Sequence, residues 1–100
     1  MINLLIADDE PLVQAGIKSM INWDDLDIHI IGTAANGALA YDMIKANSPD
    51  IVITDIKMPV MTGLELAKKI NEINNSTKIV FVTGFKEYAY DAFKVNAIGY

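Results

Sequence analysis

The sequence predicts an α/β fold in which an open, doubly wound, mostly parallel sheet carries helices on both faces. Short apolar segments that suit buried strands alternate with segments whose apolar residues recur at helical spacing. Strands that alternate with helices in this way are joined by right-handed crossovers. The chain has 100 residues and is 52% hydrophobic, which is enough for one domain with a buried core.

The first half of the chain contains two predicted strand–helix units. Residues 2–7 form an apolar strand, and Pro11 suits the first turn of a helix that runs to about residue 22. Residues 28–34 form the second strand, and the turn pair Asn36-Gly37 precedes the second helix. The apolar residues expected on these two helices are Val13, Ile17, Met20 and Ile21 on the first, and Leu39, Met43 and Ile44 on the second.

The second half repeats the pattern. Pro49 follows the second helix as a stop signal, and residues 51–54 form the third strand. A helix over 63–74 is expected to bury Leu64, Ala67 and Ile70, and strand four covers 78–83. Residues 87–95 form a helix that buries Tyr88, Ala92 and Phe93, and a fifth strand begins at 98–100. The sheet is therefore expected to be truncated in strand 5 and to lack the last helix.

Composition excludes several classes of function. A net charge of −5 argues against nucleic acid bound by this segment itself, which would require a basic face. No apolar run approaches the roughly 20 residues of a membrane span, and the N-terminus has no basic region typical of a secretory signal. Cysteine is absent, which excludes thiolate chemistry and is compatible with the cytoplasm.

Acidic residues follow two of the predicted strands. Asp8 and Asp9 come directly after the first strand, and Asp55 follows the third. The carboxyl ends of parallel strands form the crevice where ligands bind, so the three side chains are expected to converge there. Two such charges about 5 Å apart repel by roughly 3 kcal/mol at an effective dielectric near 20. A hard divalent cation with oxygen ligands, above all Mg²⁺, would relieve that repulsion.

Each of these residues also has a purely structural interpretation. An Asp before a helix can cap its N–H groups, which would account for one of the adjacent pair Asp8-Asp9. Asp55 alone would be an ordinary acid at the end of a strand, and Thr83 before Gly84 could make a routine turn hydrogen bond. His29 stands in a strand without a second His or Cys, so we interpret it as an edge or partnered histidine rather than a metal ligand.

Taken together, the residues resemble the receiver domains of bacterial two-component response regulators. The pair Asp8-Asp9, the block from Asp55 through Met58-Pro59 to Gly63, then Thr83 and Tyr100, fall in that family's order and at its usual intervals over the whole chain. The resemblance implies a flavodoxin-like sheet with strand order 2-1-3-4-5. It also implies that residues 1–100 are one receiver domain, incomplete at its C-terminal end.

The resemblance assigns a role to each matching position. Asp55 would be the phosphoacceptor and Asp9 a direct Mg²⁺ ligand, whereas Asp8 would act on the ion largely through water. The remaining roles are the backbone carbonyl of Lys57 as a metal ligand, Thr83 as the hydrogen-bond donor to the phosphoryl group, and Tyr100 as the aromatic switch. One departure stands out: the lysine that pairs with the phosphorylated Asp in the family would lie about three residues beyond Tyr100.

The implied function is a signalling module, not an enzyme. A sensor histidine kinase would phosphorylate Asp55, and the receiver would control a DNA-binding output domain that regulates transcription. The segments Trp23 to Leu26 and Asp50 to Asp55 resemble receivers joined to AraC-type domains, whereas residues 88–89 and 92–97 resemble those joined to LytTR-type domains. We favour the AraC type, and a homodimer is possible.

Two alternative functions belong to other classes. A Mg²⁺-dependent aspartyl-phosphate phosphatase of the haloacid dehalogenase type would need a second Asp two residues after the nucleophile, where this chain has Lys57. A receiver-like interaction module that is never phosphorylated would not need the complete set of acids or Thr83. Phosphodonor chemistry at Asp55 would separate both from the signalling function.

Overall fold

The structure, a computed structural model, describes residues 1–73 and 76–82. Strands and helices alternate along these residues. The strands are β1 Ile2–Ala7, β2 Ile28–Ala34, β3 Ile51–Thr54 and β4 Lys78–Phe81. The helices are α1 Pro11–Met20, α2 Gly37–Asn47 and α3 Gly63–Ile73, with a 3₁₀ turn at Trp23–Leu26.

The four strands form one parallel sheet in the order β2-β1-β3-β4, which confirms the predicted topology for the described strands. Ala7, the last residue of β1, lies in register with Ala34 of β2 and Thr54 of β3. One irregularity interrupts the β1–β2 ladder, where Leu4 pairs with Ile30 and Leu5 with Gly32. The ladders bring the carboxyl ends of β1, β2 and β3 to the same edge of the sheet.

Helices cover both faces of the sheet, as the apolar strands require. Side chains alternate across β1, so that Leu5 packs in the same buried cluster as residues of α2 and α3. Its neighbours Leu4 and Ile6 lie in a second cluster with Ile17 of α1. Both faces of β1 are buried from Leu4 to Ala7, and its sequence there is continuously apolar rather than alternating.

The first helix ends earlier than predicted. It stops at Met20, which is 69% exposed, and Ile21 is extended and 41% exposed. The predicted burial of these two residues is therefore wrong, because the chain turns away from the sheet into the 3₁₀ turn. Trp23 covers the core edge there, as predicted, and its indole Nε1 donates to the carbonyl of Ile17 at 3.1 Å.

The other described helices follow the prediction with local differences. In α3, Ala67 and Ile70 are buried as expected, but Leu66 rather than Leu64 is fully enclosed. In α2, Ile44 is buried and Leu39 is exposed.

Strand β4 ends at Phe81, earlier than predicted. The predicted elements at 87–95 and 98–100 lie outside the described residues. None of the helices within the described ranges has the length and apolarity that a membrane span needs.

Candidate metal centre

Three carboxylates meet at the carboxyl end of the sheet, as the strand ends predicted. Asp8 and Asp9 follow β1, Asp55 follows β3, and the two strands are hydrogen-bonded neighbours. One oxygen from each side chain lies within 4.8 Å of one from each of the others. Within residues 1–73 and 76–82, no other group of three potential metal ligands comes together in this way.

The loop that carries Asp8 and Asp9 is held by hydrogen bonds to its neighbours. The backbone N–H of Asp8 donates to the carbonyl of Ala34 at 2.9 Å, which continues the β1–β2 ladder past the last residue of β1. Its Oδ1 accepts from the N–H of Glu10 at 2.9 Å. These bonds keep Asp8 buried, with 3% of its surface exposed, while the next residue, Asp9, is exposed.

Asp55 is fixed through its backbone and through one carboxylate oxygen. Its N–H donates to the carbonyl of Ala7 at 3.1 Å, and its own carbonyl accepts from the hydroxyl of the buried Thr54 at 2.9 Å. The N–H of Ile56 donates to Oδ1 at 2.7 Å. This bond holds Oδ1 and leaves Oδ2 as the carboxylate oxygen that the Ile56 N–H does not engage. The side chain is half-buried.

The loop after Asp55 turns sharply back toward helix α3. Val60 adopts a positive φ of 72°, and the N–H of Met61 donates to the carbonyl of Pro59 at 2.8 Å. A bond across a single residue with that φ is the geometry of a γ-turn, which is rare and strained. Met58 is buried beneath the loop, whereas Lys57 is exposed. The turn keeps the segment next to Asp55 close to the sheet edge.

Gly63 begins α3 against the backbone of Asp55. Its N–H donates to the carbonyl of Ile56 at 2.7 Å. A Cβ at this position would overlap the carbonyl oxygen of Asp55 and lie 3.0 Å from the Cα of Ile56. The absence of a side chain therefore lets the helix start directly beside the acidic cluster.

Two features of the site were not predicted from the sequence. Thr62 and Glu65 form a reciprocal capping box at the start of α3, with bonds of 3.1 and 3.2 Å. The T-x-x-E spacing would have predicted it. The amide of Gln14 donates to the carbonyls of Asp8 and Ala34, at 2.7 and 3.5 Å. A lone glutamine in a helix gives no sequence signal for such contacts.

The electrostatics of the cluster centre on Asp8. Burial raises the pKa of this carboxyl group above its usual value, and the charges of Asp55, Asp9 and Glu10 raise it further. The hydrogen bond from the N–H of Glu10 acts in the opposite direction but does not offset the burial. The folded chain therefore holds an acid whose charge is poorly compensated by protein groups.

This donor set fits a divalent cation. Carboxylate oxygens are the ligands that Mg²⁺ and Ca²⁺ prefer, and Mg²⁺ usually takes one or two carboxylates together with water. An ion near Asp9 and Asp55 would also compensate the buried charge of Asp8. The exposed Asp9 leaves one side of the cluster accessible to solvent.

The remaining predictions for single residues concern Thr83, Tyr100 and His29. Thr83 and Tyr100 lie outside the described residues. His29 is exposed on β2, which pairs only with β1 among the described strands, consistent with an edge histidine. It lines an open cavity of about 320 Å³ with Trp23 and Lys18. None of the three acids lines this cavity, so it is separate from the acidic cluster.

This chain is similar in sequence to a known family and to named regulatory proteins. Residues 4–100 match the family described as the response regulator receiver domain. The uncharacterized transcriptional regulatory protein YesN of Bacillus subtilis is 43% identical over 90 residues, which are 90% of this chain and 24% of that protein. The positive alginate biosynthesis regulatory protein of Pseudomonas aeruginosa is 37% identical over 98% of this chain and 40% of its own length. The chain thus spans less than half of the length of these two relatives.

Solved structures agree in fold. The receiver domain of AraT, a response regulator from Geobacillus stearothermophilus, superposes with a TM-score of 0.92 at 30% identity, covering 98% of this chain and 78% of that one. A chain from the CheX–CheY–BeF₃–Mg²⁺ complex of Borrelia burgdorferi gives a TM-score of 0.86 at 27% identity, over 97% of this chain and 74% of that one.

Proposed function

The chain belongs to the response regulator receiver domains of two-component systems, and from this membership we propose that Asp55 accepts a phosphoryl group in a Mg²⁺-dependent reaction. The donor is the phosphohistidine of a sensor histidine kinase. One observation carries the proposal: three carboxylates from two adjacent parallel strands lie within 4.8 Å of one another. The phosphatase alternative is not favoured, because this chain has Lys57 at the position where such an enzyme needs its second Asp.

The metal ligands in this proposal are Asp8, Asp9, Asp55 and the backbone carbonyl of Lys57. Asp9 is the direct ligand and Asp8 acts largely through water, as the family resemblance implies. The exposed position of Asp9 supports its role as the direct ligand, because an ion can reach it from solvent. Bound Mg²⁺ neutralises the negative charge that accumulates when a phosphoryl group approaches the acids.

The chain itself supplies the nucleophile and its orientation. The N–H of Ile56 holds Oδ1 of Asp55 at 2.7 Å, which leaves Oδ2 to attack phosphorus. A bond forms between Oδ2 and phosphorus as the bond from phosphorus to the imidazole nitrogen breaks, and that nitrogen keeps the electron pair. The product is an aspartyl-phosphate. Because phosphoryl transfer depends mainly on positioning and charge neutralisation, no general base from the chain is required.

Thr83 and Tyr100 complete the proposed switch. Thr83 donates a hydrogen bond to a phosphoryl oxygen, and Tyr100 turns inward as the loop after β4 follows the new acceptor. Their place in the family motif supports these roles. The register of β4 supports the first, since Phe81 pairs with Thr54, the residue before Asp55. Phosphorylation adds charge and acceptors locally, and a two-state surface then carries the signal.

The output of this receiver is transcription regulation by a DNA-binding domain elsewhere in the full protein. Relatives named as regulatory proteins support it, and this chain matches only 24–41% of their length. We favour an AraC-type output over a LytTR-type one. The receiver acts in the cytoplasm as a non-enzymatic module over residues 1–100, it binds no nucleic acid itself, and a homodimer is compatible with this function.

Phosphodonor labelling tests the proposal. The chain is incubated with Mg²⁺ and acetyl phosphate, and intact mass and peptide spectra locate the phosphoryl group. We expect one phosphoryl group on Asp55, no label without Mg²⁺, and background labelling in Asp55→Asn. Asp42→Asn serves as the control, because it removes an exposed acid outside the cluster. Label on another residue, or full labelling of Asp55→Asn, would overturn the assignment.

A further inference from the structure

Gln14 occupies an unusual position for a glutamine on a helix. It lies in the second turn of α1, is half-buried, and reaches back over the start of its own helix. Its Nε2 donates to the carbonyl of Asp8 at 2.7 Å and to the carbonyl of Ala34 at 3.5 Å. The first bond is short for an N–H donor and a carbonyl acceptor. The side chain thus links α1 to the ends of two strands.

The carbonyl of Asp8 belongs to the peptide unit that joins Asp8 to Asp9. A hydrogen bond to this oxygen restrains the rotation of that planar peptide, and the orientation of the peptide helps to determine where the two Cα atoms and their carboxylates lie relative to each other. In the structure Asp8 is buried and Asp9 is exposed. Both still place an oxygen within 4.8 Å of Asp55.

No other side chain at the start of α1 supplies this restraint. Glu10 is the residue that caps the helix, and its side chain makes no capping hydrogen bond. The loop is otherwise held by backbone groups and by the carboxylate of Asp8 itself. A carboxylate that binds a cation cannot hold its loop equally well in both states, because its hydrogen bonds change when the ion binds. Gln14 is uncharged and can hold the loop in either state.

We propose that Gln14 is a positioning residue for the cation site: its amide holds the Asp8–Asp9 peptide so that both carboxylates serve one Mg²⁺ ion. This inference rests on the proposed function for the identity of the ion, but it concerns binding rather than phosphorylation. Residues that orient metal ligands through hydrogen bonds typically change metal affinity by about 10- to 100-fold when mutated.

The test is the Mg²⁺ affinity of Gln14→Met measured by calorimetry without a phosphodonor. Methionine keeps the length of the side chain and removes the donor, so we expect an affinity about 10-fold weaker. Asn47→Leu is the matched control. It removes an exposed side-chain amide that donates to a backbone carbonyl, that of Met43, at 2.9 Å in α2. Its Mg²⁺ affinity should equal that of the wild type.

A double-mutant cycle distinguishes positioning from a general structural effect. If Gln14 acts through the relative direction of the two carboxylates, its substitution should change Mg²⁺ affinity much less in an Asp9→Asn background than in the wild type. An equal loss in both backgrounds, or no loss in Gln14→Met, overturns the inference.

A separate measurement tests the proposed function independently of the role of Gln14. Acetyl phosphate labelling of wild-type Asp55 decides whether the chain is a phosphoacceptor, whatever the Gln14 variant does. A wild type that is labelled while Gln14→Met binds Mg²⁺ unchanged would leave the function in place and refute only the role of Gln14. A wild type that binds Mg²⁺ through the Gln14-dependent geometry without accepting phosphate would refute only the function.

Discussion

At the scale of single residues, Asp8 couples the stability of the fold to pH. Burial raises its pKa above the ordinary value of 3.8, and the neighbouring acids add to this rise. The folded chain therefore binds a proton at Asp8 more tightly than the unfolded chain does. The contribution of Asp8 to the free energy of unfolding is greatest below about pH 3.8 and declines as pH rises through its folded-state pKa.

Replacement of the buried carboxyl group should therefore stabilise the metal-free chain. Asn keeps an oxygen that can accept from the N–H of Glu10 but carries no charge. At pH 7 without Mg²⁺ we expect Asp8→Asn to raise the free energy of unfolding by about 1 kcal/mol. This corresponds to about 4–8 °C in melting temperature for a domain of this size. Thermal melts at several pH values check it, with the exposed Asp42→Asn as control. A lower melting temperature for Asp8→Asn would contradict the electrostatic account.

At the scale of secondary-structure elements, the start of α3 depends on a missing side chain. A Cβ on Gly63 would overlap backbone atoms of Asp55, which cannot move aside as a flexible side chain could. We expect Gly63→Ala to destabilise the fold by about 1–3 kcal/mol and to weaken Mg²⁺ binding, since the backbone that carries Asp55 must shift.

Gly16 provides the matched control for Gly63. It lies within α1, and a Cβ there would meet nothing within 4 Å. Gly16→Ala should stabilise the fold by about 0.5–1 kcal/mol, because alanine loses less backbone freedom in a helix. Chemical denaturation and calorimetry of the two variants measure both effects. Equal stability changes, or unchanged Mg²⁺ affinity in Gly63→Ala, would refute the close-contact argument.

At the scale of the whole molecule, cation binding should stabilise the fold. The domain carries a net charge of −5 and gathers three acids at one edge of its sheet. Mg²⁺ at about 100 times its dissociation constant should add about 2.7 kcal/mol to the free energy of unfolding. Asp9→Ala should reduce this gain more than Asp8→Ala, because Asp9 is the proposed direct ligand.

Melting curves with and without Mg²⁺ test this order of effects. Asp42→Ala, which lies outside the cluster, should keep the full gain. The proposed ligand roles fail if wild type and Asp9→Ala gain equally from Mg²⁺. A larger loss in Asp8→Ala than in Asp9→Ala would reverse the assignment of direct and water-mediated ligands.

Much of this architecture follows from the sequence because two signals indicate each strand: its apolar composition and the polar or turn residues that follow it. Strands β1, β2 and β3 have the predicted bounds, since each is a mostly apolar segment followed by polar or turn residues. Helix ends were less predictable, because an apolar residue such as Ile21 fits a helical period although the helix has already ended at Met20. The choice between Leu64 and Leu66 depends on the rotation of α3, which its local sequence does not determine.

For the site, too, the sequence predicted which residues come together but not how each of them is oriented or exposed. Strand ends brought Asp8, Asp9 and Asp55 together in the prediction, since parallel register alone makes them neighbours. The opposite exposure of Asp8 and Asp9 depends on hydrogen bonds to Ala34 and Glu10 that only the three-dimensional structure reveals. The contacts of Gln14 also depend on the angle at which α1 leaves the sheet, so the sequence could not predict them.

The separation of the acids along the chain has a kinetic consequence. Asp9 and Asp55 become neighbours only when β1 and β3 pair, and α1, β2 and α2 lie between them in sequence. Closing such a long segment costs conformational entropy, so we expect these contacts to form late in folding. Interactions that are absent from the folding transition state slow unfolding and leave the folding rate nearly unchanged. An ion held by these acids therefore lengthens the lifetime of the folded domain and does little to hasten its formation.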